Sequence, residues 1–189
     1  MILVLARHTR PNVRPDTCYG RLDIPLAESA PQDLNASLQQ IPVASRVIAS
    51  PTQRCRPLAA AVADRDGLSV EEDARLLELD FGTWEGQPWL DIGPAALNTW
   101  ARGIWRYAPG GGEALCELWA RVDAFRQELL VGAHSCVVII SHHGPLRVLH
   151  AQCTGRSHGK IFELSFEFGG VRTLELGHRC ALPCETDSL

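Results

Sequence analysis

The chain has 189 residues, of which 46% are apolar and 21% charged, with a formal charge of −4. That is an ordinary globular composition, long enough for one domain with a sizeable core. The mildly acidic balance gives no reason to expect nucleic acid or an anionic membrane as a partner. The apolar run at residues 2–6 is far shorter than the roughly 20 residues of a spanning helix, and it lacks the flanks of a secretory leader.

Residues 1–6 predict a buried strand that runs straight into Arg7, His8 and Thr9. Pro11 and Pro15 break regular structure, so an extended loop is expected to about residue 23. A helix over 31–40 and a short apolar strand over 46–49 follow, the strand cut off at Ser50-Pro51. The Ala-, Leu- and Val-rich stretch 52–66 reads as helix; Pro57 requires either a regular start near Arg56 or a distorted first turn. A strand is expected near 68–71, then irregular chain over 76–86. Residues 91–107, carrying Trp100 and Trp105, are expected to be helical and to end at Pro109 and three glycines.

The clearest helix is 113–131, where Leu115, Leu118, Val122, Phe125 and Leu129 recur at steps of three and four on one face. The β-rich run 136–140 ends in Ser141-His142-His143-Gly144, and a helix is expected from about Pro145 to Cys153. Residues 161–168 and 171–176, joined by Gly169-Gly170, read as a hairpin, with irregular chain after Gly177. Strands alternating with helices predict an α/β three-layer sandwich: a mostly parallel central sheet flanked by helices, with an antiparallel edge strand from the hairpin. No linker, repeat or low-complexity segment interrupts it, so residues 1–189 are expected to form one domain.

In open α/β sheets, ligands bind at the carboxyl ends of the strands. Three predicted strands deliver polar residues there: Arg7-His8, Ser50 with Arg54 and Arg56 soon after, and His142-His143. Guanidiniums grip phosphate oxygens with paired hydrogen bonds. An imidazole can attack phosphorus and form a covalent intermediate, and a carboxylic acid would protonate the leaving oxygen and later activate water. No Walker-type glycine loop is present, which leaves a nucleotide-dependent kinase unsupported.

Plainer readings compete residue by residue. A lone histidine after a strand is usually a satisfied core or surface residue, and only one of the adjacent His142 and His143 can point at a given spot. Arg56 is expected to be solvated, and the five tryptophans to serve mostly in packing. Seven cysteines, an odd number without close-set pairs, read as free thiols and place the chain in the cytoplasm. His178, Cys180 and Cys184 match no common zinc spacing, so no metal or other cofactor is expected.

Six segments in order resemble the histidine phosphatase (phosphoglycerate mutase-like) superfamily. ARHTRP carries Arg7-His8-Thr9 in place of the family's Arg-His-Gly, and CYGRLDIPL (18–26) is similar to the α-ribazole phosphatase-like branch. SPTQRC (50–55) resembles the Ser-Pro-x-x-Arg-Ala segment, LLELDFGTWEG (76–86) the block bearing the acid, and PGGGEAL (109–115) the stretch before a long helix. ISHHGPLR (140–147) matches the segment of the second histidine. Together they cover residues 1 to about 150.

The resemblance implies a phosphoglycerate mutase-like fold with a cap or lid at about 84–112, and a metal-independent phosphomonoesterase working through a phosphohistidine. His8 would be the nucleophile, Glu78 the acid, and Arg7, Arg54 and His142 the phosphate ligands. Thr9, Cys18, Tyr19, Gly20, Glu113 and His143 become candidate substrate contacts. The partner would be a small phosphorylated metabolite, with α-ribazole 5′-phosphate the best single expectation. Alternatives are phosphoglycerate mutase-type transfer, disfavoured because Arg14 stands where mutases usually carry Asn, and a catalytically weak phospholigand-binding protein of the same fold.

Overall fold

The computed structural model describes residues 1–132 and 134–176. Five strands form one sheet in the order β3-β2-β4-β1-β5: β1 (Ile2–Arg7), β2 (Arg46–Ala49), β3 (Val70–Glu72), β4 (Cys136–Ser141) and β5 (Val171–Glu175). All neighbours are parallel except β5, which pairs antiparallel with β1. The α/β class, the mostly parallel sheet and the antiparallel edge agree with the sequence reading.

The helices are α1 (Ala30–Gln40), α2 (Arg56–Asp66), α3 (Trp89–Ile92), α4 (Pro94–Gly103), α5 (Leu115–Val131) and α6 (His143–Thr154). Side chains alternate across each strand, so the sheet carries two cores. Leu3, Leu5, Ile48, Val137 and Ile139 pack with Leu118, Val122 and Phe125 of α5 and Leu146 and Leu149 of α6. Val4, Ala6, Val47, Ala49, Val138 and Ile140 pack with Leu58, Ala59 and Val62 of α2 and against Leu34 and Leu38 of α1. These are the three layers. β1 and β4 lie at the centre and are apolar toward both faces, as strands covered on both sides must be.

Local chemistry sets the helix ends. Pro57 lies in the first turn of α2, which starts at Arg56, so the regular start is the one adopted. Gly67, at φ 67°, ends that helix in the left-handed conformation. The expected helix over 91–107 is instead two, α3 and α4, broken at Gly93 (φ 83°), a backbone angle that a helix cannot contain. β3 begins at Val70, two residues later than expected.

The expected hairpin does not form. A 3₁₀ segment, His158–Glu163, occupies its first arm, and β5 pairs with β1 instead. The reason lies in three successive carbonyls. Leu164 O accepts from Arg147, Ser165 O from Arg172 and Phe166 O from Arg7. With those acceptors taken by arginines, and Phe166 buried at 2% exposure, the segment packs as irregular chain. The irregular tail and the zinc reading at His178, Cys180 and Cys184 lie outside the described residues.

Leu149, fully buried between α6 and the sheet, tests this packing. Leu149→Ala should cost about 2–5 kcal/mol of unfolding free energy, read from the denaturant midpoint at unchanged m-value.

Candidate active site

β1 and β4 pair in a register that sets Arg7 opposite Ser141. The next residue on each strand is a histidine, so His8 and His142 emerge side by side at the carboxyl edge, their rings 5.1 Å apart and edge-on. Both are buried. β2 lies on the other side of β4 and ends level with it, which delivers Ser50 and, a turn later, Arg54.

Hydrogen-bond partners fix the tautomers. The His8 Nδ1–H donates to the Thr9 carbonyl at 2.7 Å, and a carbonyl can only accept, so Nε2 carries the lone pair. Arg54 Nε donates to His142 Nδ1 at 3.2 Å, which makes that nitrogen an acceptor and leaves Nε2–H to donate to Ser50 Oγ at 2.8 Å. Both rings are neutral in this arrangement. Burial holds the His8 imidazole well below its usual range, helped by the Arg54 and Arg7 guanidiniums and by His143. For His142, burial acts first, then His8, Arg54 and Arg7.

The two arginines are aimed by backbone carbonyls. Arg54, fully buried, donates Nη1 to Leu22 O at 2.7 Å and Nη2 to Gly20 O at 2.6 Å. With Nε also committed, two of its five N–H groups stay available. Gly20 has to be glycine, since a Cβ there would collide with the Leu79 carbonyl and Glu85. Arg7 donates Nη1 to Phe166 O at 2.7 Å and stacks 3.9 Å over the Phe168 ring. The Tyr19 ring lies 5.7 Å from the Arg54 guanidinium. Arg7 Nε, Thr9 Oγ1 and His143 Nε2 are buried without a partner among the described residues. Three orphaned polar atoms clustered round one pair of histidines mark a place built to meet a polar ligand.

Glu78 sits at the N-terminus of α6, where Gly144 N–H donates to its carboxylate oxygens at 3.1 and 3.2 Å, as befits an anion on a helix start. Leu79 N–H adds a third bond at 2.9 Å. A Cβ at Gly144 would strike Glu78 Oε1. Glu78 and His143 line a cleft of about 150 Å³ that also exposes Phe81, Trp100 and Arg147.

Two of the predicted contacts are committed elsewhere. Cys18 is buried and tied through its N–H to Gln87 O, and burial pushes its thiol up to about 12, so it is an inert packing residue. Glu113 pairs with Arg121 at 2.6 and 2.8 Å and with Arg21 at 3.3 Å. Arg121 in turn donates to the carbonyls of Arg75 and Glu78, so Glu113 braces the loop that carries Glu78. Arg56 is exposed and paired with Glu72, as expected of a solvated residue.

Sequence reading missed Glu85. Its carboxylate accepts from the N–H groups of Arg21, Leu22 and Phe81, clasping the loop that aims Arg54 to the loop that follows Glu78. Phe168 and Arg147 were also not assigned to the site, and Ser50 was placed at the strand end without a role. The only available signal for Glu85 was its position in FGTWEG; its partners lie more than sixty residues away in the case of Arg21 and Leu22.

Paired neutral imidazoles, one buried and one partly buried guanidinium and a carboxylate at one sheet edge suit the handling of a phosphoryl group. The chain belongs to the histidine phosphatase superfamily, branch 1, whose model matches residues 3–182, and it is by class a phosphoric monoester hydrolase. Phosphoserine phosphatase 1 of Hydrogenobacter thermophilus is 25% identical over 187 residues, covering 94% of this chain and 87% of that protein. Glucosyl-3-phosphoglycerate phosphatase of Mycolicibacterium vanbaalenii is 29% identical over 170 residues, 81% of this chain and 74% of that one. The α-ribazole phosphatase from Shigella flexneri shares the fold with a TM-score of 0.83 at 23% identity, covering 93% and 90% of the two chains. Three mycobacterial relatives, 28% identical over 133 residues, are longer, and the chain spans 36% of their length.

Burial of the imidazoles has a consequence for stability. His8 and His142 are held well below 6.5 and His143 is lowered to about 3, so below pH 6.5 the unfolded chain binds protons that the folded one refuses. Their stabilising effect is complete above pH 6.5 and is lost as pH falls from there toward 3, by up to about 1.4 kcal/mol per pH unit for each histidine. Denaturant midpoints measured from pH 7.5 to 4 should fall, and the His143→Gln protein should show a shallower fall than the parent.

Proposed function

We propose that the protein is a metal-independent phosphomonoesterase that works through a phosphohistidine at His8. The observation that carries this is the His8 tautomer: a buried neutral ring, Nδ1–H held by Thr9 O so that Nε2 keeps its lone pair, beside His142 and near Arg54 and Arg7. In the first step Nε2 attacks phosphorus and the ester P–O bond breaks. Glu78 gives a proton to the departing oxygen. In the second step the Glu78 carboxylate takes a proton from water, the water oxygen attacks phosphorus, and the P–N bond breaks. Arg7 and the free N–H groups of Arg54 hold the equatorial oxygens, supplying the positive charge that a loose phosphoryl transition state needs, while His142, engaged by Arg54 and Ser50, packs against the His8 ring.

Residues 84–112 act as the cap in this reading. Trp89 and Trp100 stack at 6.2 Å with planes 8° apart, and Phe81 and Trp84 meet Trp100 edge-on. The substrate is a small phosphorylated metabolite whose alcohol lies in the cleft beside Glu78. The aromatic wall supports α-ribazole 5′-phosphate, while the relatives' names add phosphoserine and glucosyl-3-phosphoglycerate as candidates. A mutase reading gains nothing from Arg14, which is exposed and paired with Asp16 at 2.8 Å.

Phosphate release from a panel of phosphomonoesters, α-ribazole 5′-phosphate, phosphoserine, phosphoglycerates and p-nitrophenyl phosphate among them, should be abolished in His8→Ala. The parent should form an acid-labile phosphoenzyme; its absence with every ester would end the phosphohistidine mechanism. Glu78→Gln should slow alkyl phosphates by a further 10²-fold or so relative to p-nitrophenyl phosphate, whose leaving group needs little protonation. Equal losses would remove Glu78 as the acid.

A further inference from the structure

The cleft beside Glu78 is mostly apolar, walled by Phe81, Trp100 and Phe162 among others, yet two polar groups of α6 face into it. His143 and Arg147 stand one helical turn apart, on the same side of the helix. Neither has a function in the two phosphoryl steps. His143 Nε2 is buried and has no partner among the described residues. Arg147 donates Nε to the Leu164 carbonyl at 2.5 Å and lies 5.8 Å from the Phe162 ring. It forms no ion pair among the described residues, and its terminal nitrogens donate to none of them.

This half-buried guanidinium in an apolar wall is desolvated with no carboxylate in ion-pair contact, Glu78 acting on it only across the cleft. Arg121 is matched by Glu113 and Arg75 by Asp73 and Glu128, while Arg54 and Arg7 are aimed by backbone carbonyls at the phosphoryl end of the site. Arg147 shares the cleft of Glu78, where the alcohol part of a phosphoester would lie. One planar cation next to a neutral imidazole matches a singly charged planar anion, which a guanidinium binds through two parallel hydrogen bonds. A second phosphate would bring nearly twice that charge to a place with one cation.

We propose that Arg147, with His143 Nε2 beside it, binds a carboxylate on the alcohol portion of the substrate, so that the enzyme selects phosphomonoesters of hydroxy acids. The inference rests on the phosphatase reading above. Arg147 then sets specificity rather than chemistry: Glu78 reaches the bridging oxygen, the carbon chain crosses the apolar wall, and the carboxylate closes the far end. A neutral alcohol, such as that of α-ribazole 5′-phosphate, would cover the aromatic wall and leave the Arg147 charge uncompensated.

The test compares O-phospho-hydroxy acids of two to four carbons with their amides, which keep the shape and lose the charge, beside p-nitrophenyl phosphate. For at least one chain length the parent should prefer acid over amide by about tenfold or more in kcat/KM, the scale of one charge-assisted contact. Arg147→Gln should bring that ratio close to one, and Arg147→Lys should retain part of it. Thermal melts accompany each variant, because Leu164 O loses a donor; should Arg147→Gln not fold, the parent ratio and the Lys variant decide. Turnover of p-nitrophenyl phosphate with no preference for any acid, or a preference that survives Arg147→Gln, overturns the proposal. No turnover of any ester removes the phosphatase reading, and this inference with it.

Discussion

The parallel pairing of β1 with β4 carries the site. Its six-residue register ends with Arg7 opposite Ser141, and the one residue that follows on each strand is the histidine. Shifting either strand by one position would turn its histidine to the opposite face of the sheet, because side chains alternate along a strand. The two cores hold the register from both sides, with Leu3 and Leu5 committed to one face and Val4 and Ala6 to the other. Packing deep in the sheet therefore decides a 5.1 Å distance between two rings at its edge.

The electrostatics follow from that burial. An acidic protein concentrates cationic groups at one internal point, and it does so by spending backbone carbonyls on them: Gly20 and Leu22 on Arg54, Phe166 on Arg7. Carbonyls aim a guanidinium without neutralising it. Carboxylates are kept one step back, where Glu113 and Glu85 organise loops instead of quenching the pocket. The imidazoles stay neutral in this field because burial and like charge both oppose protonation. A neutral His8 is the form able to attack.

Strand ends were the readable part of the sequence. Apolar runs terminating in Arg7-His8, Ser50 and Ser141-His142 located the carboxyl edge, and the three- and four-residue steps of α5 located one covering layer. The family resemblance pointed to Glu78 and Arg54; neither follows from spacing alone. Residues 161–168 were misread because β-prone composition says nothing about which carbonyls distant arginines will claim. Glu85 and Arg147 escaped for a related reason. The first acts through backbone N–H groups brought together only by the fold, and the second draws its meaning from the partner it lacks. Glu113 was assigned to substrate because it follows a familiar glycine run, whereas Arg121, two turns along α5, takes its carboxylate.

The Glu85 clasp joins two loops that would otherwise be independent. One supplies the carbonyls that hold Arg54; the other leads directly from Glu78. With both fastened to a single carboxylate, Arg54 and Glu78, the phosphate ligand and the acid of the proposed mechanism, belong to one mechanical body. Thermal motion of either loop drags the other along. In the proposed mechanism the separation between transferred group and general acid is thereby insulated from the surface, so that substrates could differ in their alcohol without disturbing the geometry that breaks the bond.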